Sequence, residues 1–260
     1  MVTNKEYSIL TYNIGKYEKI KEVKYKSERA EYILVTDDRS FTSNTWNVVY
    51  VDNKHPEDNF DLCYDIRFNP FKYVNTDTVI RIDGSMEVIG NTDELIDVFN
   101  EGNYDISLVM HPVRDNIFDE YVTWCKYRGY SVEQANYILN FMLKYEGYDV
   151  KGYKGLYQYN FMIQRNNKIN NDLNSLTLSL LKYLAEDGKQ IERLDQTVGS
   201  FVINKYFNHL KVLPVDNRIA YSKYFSWYAH NSDNKFPDPD IQTKGYLFNK
   251  EVDTNTIQYD

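Results

Sequence analysis

Thr11-Tyr12-Asn13, Thr36-Asp37-Asp38, Asp83-Gly84-Ser85 and His111 each stand at the end of a short apolar run. A carboxylate in such a place can hold a metal ion or a sugar hydroxyl, and Gly84, having no side chain, lets a ligand approach the backbone. The alternative for Asp37, Asp38 and Asp83 is that each starts a turn or caps a helix, as aspartate often does. His111 is one of only 4 histidines, and Arg114 follows it closely. These two could meet an acceptor or a phosphate, with Glu120 from the next helix beside them. The competing role for His111 is that of a satisfied polar residue at a helix start. Asp195-Gln196 precede the stretch TVGSFVINKYF, where the local reading of Asp195 is a cap.

Hydrophobic patterning predicts the elements that carry these residues. Apolar runs predict strands at Tyr7–Asn13, Ala30–Asp38, Trp46–Asp52, Thr78–Ile82, Ile106–Met110, Gly155–Gln164 and Leu210–Pro214. Helical spacing covers Asp58–Tyr73, with Phe60, Cys63, Tyr64, Phe68 and Phe71 near one face. Asn91 or Thr92 can cap a helix whose first turn carries Asp93 and Glu94. Further helices are predicted over Ile117–Arg128 and Val132–Glu146, split by Gly129, and over Leu173–Glu186 and Leu194–Lys205. The charged run from Gly15 to Arg29 predicts a short helix at its start. Strands alternating with helices imply one α/β domain over residues 1–214, with a mostly parallel sheet and flanking helices. Residues 215–260 show no strong period and read as a loosely structured tail that packs on or closes the ligand site. Ligands of such sheets bind outside the carboxyl ends of the strands, where the polar groups above would gather.

Composition narrows the function classes. The 260 residues carry 30 Lys+Arg against 38 Asp+Glu, a net charge of −8, which argues against non-specific nucleic-acid binding. Two cysteines, Cys63 and Cys125, exclude a disulfide framework and a cysteine-based zinc module, and both read as inert core residues. No window reaches the ~18 apolar residues of a membrane span, and no signal peptide is expected at the amino terminus. The expected compartment is cytoplasmic, and a location peripheral to the membrane is compatible. Gly-x-Ser-x-Gly, His-Glu-x-x-His and Walker patterns are absent from the sequence, so serine-hydrolase, zincin and P-loop readings lack support.

The segment TVIRIDGSMEVIGNTDELID (78–97) resembles the core of nucleotide-diphospho-sugar glycosyltransferases with the Rossmann-like GT-A fold. The likeness is strongest to a glycosyltransferase-like domain of unknown function from plant and bacterial proteins, which keeps an apolar-Asp-Gly motif there. ILTYNIGKYEKIKEV resembles the opening nucleotide-binding strand and loop, and AEYILVTDDR the second strand. SLVMHPVRDNIFDEYVTW resembles a strand with a His-x-x-Arg and an acidic helix, and IERLDQTVGSFVINK an Arg-x-Asp-Gln helix start. The series covers residues 7–214.

The resemblance implies transfer of a hexose from a nucleotide-diphospho-sugar, a UDP-sugar first of all, to a glycan, lipid-linked or protein acceptor, as in polysaccharide biosynthesis. It places Thr11, Tyr12, Asn13, Asp37 and Asp38 at the base and ribose, with Tyr12 stacking on a uracil ring or else packing in the core. It places Asp83, Gly84 and Ser85 at the diphosphate. It also implies a divalent cation, Mn²⁺ or Mg²⁺, with Asp83 as its first ligand. This sequence departs from Asp-x-Asp by carrying Ser85 at the third position. His230 and Lys235 resemble a carboxy-terminal His…Lys-Pro loop in which the His binds metal and the Lys meets the diphosphate. Here the spacing differs by one and the Pro is displaced, and the competing role is an exposed polar tail. The alternative is metal-free chemistry, with Lys235, Arg67, Lys72 or Arg81 supplying positive charge. The resemblance also makes Asp195, with Gln196 and His111, catalytic: a general base in an inverting enzyme, or a nucleophile or stabiliser of an oxocarbenium-like state in a retaining one. Arg114 and Glu120 would meet the acceptor. Tyr153, Tyr157, Tyr159, Tyr224, Trp227 and Tyr228 could stack on sugar rings, or serve a core or an interface equally well.

Two other functions stay open from the sequence. One is a non-catalytic nucleotide- or carbohydrate-binding protein on the same fold, which Ser85 permits. The other is a hydrolase of a sugar or lipid amide, with the carboxylates and His111 serving a metal-activated water.

Overall fold

The computed structural model describes residues 5–56, 59–128, 131–152, 155–186, 194–216, 219–228, 230–233 and 235. Gly129, Tyr153 and the Ile191-Glu192-Arg193 part of the Arg-x-Asp-Gln block lie outside the described residues, as do Asp58 and everything from residue 236.

The strands are β1 (Tyr7–Asn13), β2 (Ala30–Thr36), β3 (Asn47–Tyr50), β4 (Thr78–Ile82), β5 (Met86–Val88), β6 (Ile106–Met110), β7 (Tyr157–Arg165), β8 (Val212–Val215) and β9 (Phe225–Trp227). The helices are α1 (Phe60–Phe68), α2 (Asp93–Glu101), α3 (Ile117–Arg128), α4 (Val132–Asn140), α5 (Lys168–Glu186) and α6 (Asp195–Tyr206). A seven-stranded sheet in the order β3-β2-β1-β4-β7-β6-β8 forms the centre. β7 pairs antiparallel with β4 and β6, and the remaining pairings are parallel. The expected α/β class with a mostly parallel sheet and flanking helices is therefore what the chain adopts.

Both sheet faces are buried, which is why β1, β2 and β4 read as nearly continuous apolar runs. On one face Leu10, Ile33, Val35 and Val79 pack with Ile66 of α1, and Leu108 and Met162 pack with residues of α3–α6. On the other face Ile9, Leu34, Ile80 and Ile82 meet Leu95, Ile96 and Phe99 of α2. Ala220, Tyr221, Tyr224 and Phe225 join that second core.

Several predicted elements differ in the fold. No helix follows β1: Gly15 (φ 65°) and Lys16 (φ 55°) take left-handed conformations, and the chain turns away through irregular backbone. α1 stops at Phe68, since a residue before proline, here Asn69 before Pro70, is pushed out of helical conformation. The described part of the tail is not loose. β9 pairs antiparallel with β5, and the Tyr228 amide donates to the Ser85 carbonyl at 2.9 Å. Gly90 allows this docking, because a Cβ there would lie 1.9 Å from the Lys223 carbonyl oxygen. Cys63 is half-buried in α1, and the Cys125 side chain lies outside the described residues.

Candidate functional site

All the parallel strands end at one edge of the sheet, and a charged cluster sits there. Its centre is Arg67, on the last turn of α1. The Arg67 guanidinium donates from Nη2 to Asp83 Oδ1 at 2.6 Å and from Nε to the Tyr12 hydroxyl at 2.9 Å. Its Nη1 pairs with Oδ2 of Asp195, the first residue of α6. Asp83 directly follows β4, and Tyr12 lies at the end of β1. Four elements thus converge on one side chain. Arg67, Asp195 and Asp83 keep 11%, 14% and 24% of their side-chain surface, so the cluster opens to solvent on one side.

Beneath Arg67 lies Arg81, fully buried on β4. Its Nη2 donates to the Tyr159 carbonyl at 2.7 Å, and its Nη1 stands 3.6 Å from Asp83 Oδ1. The Nε and Nη1 atoms of Arg81 and the Tyr159 hydroxyl make no hydrogen bond among the described residues. Burial opposes the charge on Arg67, but the carboxylates of Asp195 and Asp83 outweigh it and raise its pKa well above the ordinary arginine value. Burial, with Arg67 beside it, lowers that of Arg81. Burial raises the phenols of Tyr12 and Tyr159 as well, so both stay protonated. Two guanidinium groups against two carboxylates leave the quartet formally neutral.

A bulge between β6 and β7 lies beside this packing. Opposite Leu108/Val109 the register of β6 with β7 jumps from Met162 to Gln158. Two carbonyls of this stretch face the site: that of Tyr159 accepts from Arg81, and that of Asn160 accepts from the Asp83 amide at 2.9 Å, continuing the ladder of β7 with β4. Gly199 on α6 receives the Tyr159 ring, which a Cβ would meet at 2.1 Å.

A second cluster adjoins the first through Gln196. Gln196 Nε2 donates to Glu120 Oε1 at 2.6 Å, and Arg114 Nε donates to Glu120 Oε2 at 2.5 Å. His111 Nδ1 accepts from the Arg114 amide at 3.0 Å, and its Nε2 lies 3.1 Å from Arg114 Nη2 and 3.5 Å from Glu120 Oε2. Burial, with the Arg114 guanidinium nearby, lowers the His111 pKa to about 3, so the ring is neutral.

Most of the other predicted polar residues have structural partners. Asn13 clamps Glu18 at both its amide and carbonyl, and Thr11 is buried with an unpartnered Oγ1 among the described residues. Asp37 accepts from the Gly15 amide at 2.9 Å and from Asn53 Nδ2 at 3.0 Å, tying the loops after β1 and β3 together. Asp38 closes a turn on Ser40 and pairs with Lys16. Gly84 offers no approach for a ligand, because the space a Cβ would take holds the Tyr12 carbonyl oxygen at 2.7 Å and Glu18 at 3.1 Å. Lys72 is not brought to the site. It pairs with Asp65 and lines a cleft with Asn166 and Asn171, beyond the end of β7 and beside the start of β4. Lys235 Nζ donates to Ser226 Oγ at 3.1 Å, and His230 Nδ1 pairs with Glu18 Oε1 at 2.5 Å. Of the aromatic candidates, Tyr159, Tyr224 and Tyr228 are buried, and Tyr157 and Trp227 are half-buried.

The proposed cation ligands do not form a set. Asp83 is engaged by two guanidinium groups, Ser85 Oγ is buried without a partner among the described residues, and His230 is held by Glu18. Among the described residues no three His, Cys, Asp or Glu side chains group as metal ligands. The donor set therefore does not fit a divalent cation in this arrangement.

No protein-family model matches the sequence. No curated protein matches it either. Among solved structures, mouse xyloside xylosyltransferase 1 in its apo form is similar, at a TM-score of 0.46 and 10% identity, over 83% of this chain and 86% of that one. Among the described residues no helix is long and apolar enough to cross a membrane.

The sequence reading named Arg67 only as one possible source of charge. Its central place had no local signal, since its partners Asp83 and Asp195 are 16 and 128 residues away. Glu18, tucked against Gly84 and holding His230, and the Tyr159–Asn160 bulge were missed for the same reason.

Proposed function

We propose that the chain is a glycosyltransferase of the GT-A kind that moves a hexose from a nucleotide-diphospho-sugar, expected to be a UDP-sugar, to a glycan, lipid-linked or protein acceptor. One observation carries this reading: Tyr12, Arg67, Asp83 and Asp195 converge, partly open to solvent, at the carboxyl edge of the parallel strands. That edge is where α/β sheets receive nucleotide ligands. The Tyr12 ring would face the base, the cluster around Asp83 the diphosphate, and Asp195 the reacting sugar or the acceptor hydroxyl. As general base, Asp195 would take the acceptor proton while the glycosidic bond to the diphosphate breaks. The His111–Arg114–Glu120 cluster would fix Gln196, and with it the first turn of α6, at the acceptor side.

A thermal-shift screen with UDP, GDP and CDP tests this. A ligand at 100 times its dissociation constant stabilises the native state by about 2.7 kcal/mol, a shift of several degrees. A shift for one nucleotide, followed by release of that nucleotide from its sugar conjugate, is the expected result. If none of the three moves the melting temperature, the donor reading fails.

A further inference from the structure

A diphosphate on a chain of net charge −8 needs local positive charge. In the fold the space between Asp83 and Asp195 is already taken by a guanidinium, with a second one below it. Arg67 presents five N–H groups. One on each of Nε, Nη1 and Nη2 is engaged by Tyr12, Asp195 and Asp83, which leaves one on each Nη atom without a hydrogen bond among the described residues. Arg81 is 1% exposed in its side chain, stands 3.6 Å from Asp83 through Nη1, and makes no hydrogen bond from Nε or Nη1 among the described residues, so its charge backs the site from within. A dication drawn to Asp83 would have to displace Arg67 from both carboxylates and would still share Asp83 with Arg81. Guanidinium, by contrast, is planar, permanently charged and matched to phosphate oxygens.

Resting on the donor reading above, we propose that Arg67, backed by Arg81, occupies the place of the divalent cation: it meets the diphosphate directly, and donor binding is independent of metal. Asp83 then acts as a positioning residue that holds the two guanidinium groups, not as a metal ligand.

The test uses the whole chain and two probes. Titration with Mn²⁺ alone, followed by electron paramagnetic resonance, is expected to show no site at Asp83 tighter than about 1 mM, the weak end of carboxylate cation sites. Calorimetry with UDP is expected to give affinities in EDTA and in Mn²⁺ that agree within about threefold, below ordinary coupling between linked sites. Arg67→Ala, which bares two facing carboxylates, should gain Mn²⁺ binding and lose roughly tenfold or more in UDP affinity in EDTA. Arg67→Lys keeps a charge between the carboxylates and should remain without a Mn²⁺ site, so the contrast survives if Arg67→Ala does not fold. A Mn²⁺ site in the native chain that Asp83→Asn removes would overturn the inference, as would UDP binding that requires Mn²⁺. The second result would leave the donor reading standing. Failure of every nucleotide in both conditions would overturn the donor reading and the diphosphate role of Arg67 together.

Discussion

The two charged clusters that meet at the first turn of α6 use the same residue types and are built oppositely. Around Arg67 the carboxylates Asp83 and Asp195 keep 24% and 14% of their surface, and among the described residues the guanidinium still has N–H groups without a hydrogen bond. Around Glu120 the carboxylate keeps 1% and the imidazole of His111 5%. Arg114, Gln196 and His111 all turn toward Glu120. The two guanidinium groups, Arg114 and Arg67, are equally exposed at 11%, so the difference lies in the acids. A carboxylate enclosed and neutralised in this way helps specify a conformation, whereas carboxylates left ajar at a strand edge can exchange a partner for a ligand. Adjacent residues of one helix, Asp195 and Gln196, therefore serve different ends. Gln196 anchors α6 on the closed cluster, and Asp195 is presented by that helix to the open one.

The largest effect that would sharpen this contrast is expected at Glu120. Glu120→Ala removes the acceptor of a buried network and should cost about 3–5 kcal/mol in urea unfolding, with UDP affinity of the folded fraction little changed. Full stability with lost nucleotide binding would instead make the closed cluster the ligand site.

Acid should strike the closed cluster next. The unfolded chain protonates histidine near 6.5, whereas the native His111 waits until about 3. Between those values the unfolded state binds more protons, so stability falls as pH falls. The loss attributable to His111 between pH 7 and pH 4 should reach about 3 kcal/mol, and His111→Gln should remove that part of the slope. Parallel profiles for the two proteins would mean that the imidazole is already charged or is open to water.

Asp195→Asn keeps the shape of the open cluster and should slow sugar transfer by roughly a hundredfold, with UDP affinity altered much less. Native turnover would return Asp195 to a cap. Gly199→Ala pushes a methyl into the Tyr159 ring and should cost about 1–3 kcal/mol by calorimetric melting, since the ring is enclosed. The smallest effect is expected at Lys72, which belongs to neither cluster. Lys72→Ala should change stability by no more than about 0.5 kcal/mol and leave UDP binding intact, and a clear loss of affinity would extend the open site to the far end of the sheet.

Much of the frame was legible because it is local. The apolar runs at Tyr7–Asn13 and Ile106–Met110 needed no partner to be recognised, and their buried faces match. The α2 start was legible from acids in its first turn, although its first amide is held by Asn91, with no side-chain cap bond from Thr92. The docked tail was not legible. Its strand β9 has three residues, and only the complementary edge of β5 makes that segment a strand. Gly84 misled for a related reason: the sequence shows a missing side chain, not that Tyr12 and Glu18 fill the space.

By itself the sequence determined the class of the fold and the edge where polar strand ends gather, because periodicity and strand-end polarity are properties of neighbouring residues. Only the tertiary structure decided that Asp83 and Asp195 share one guanidinium, that Glu120 is sealed, and that Lys72 stands apart. Ion pairing and burial depend on distance in space, and the residues that set them here lie up to 128 positions apart along the chain.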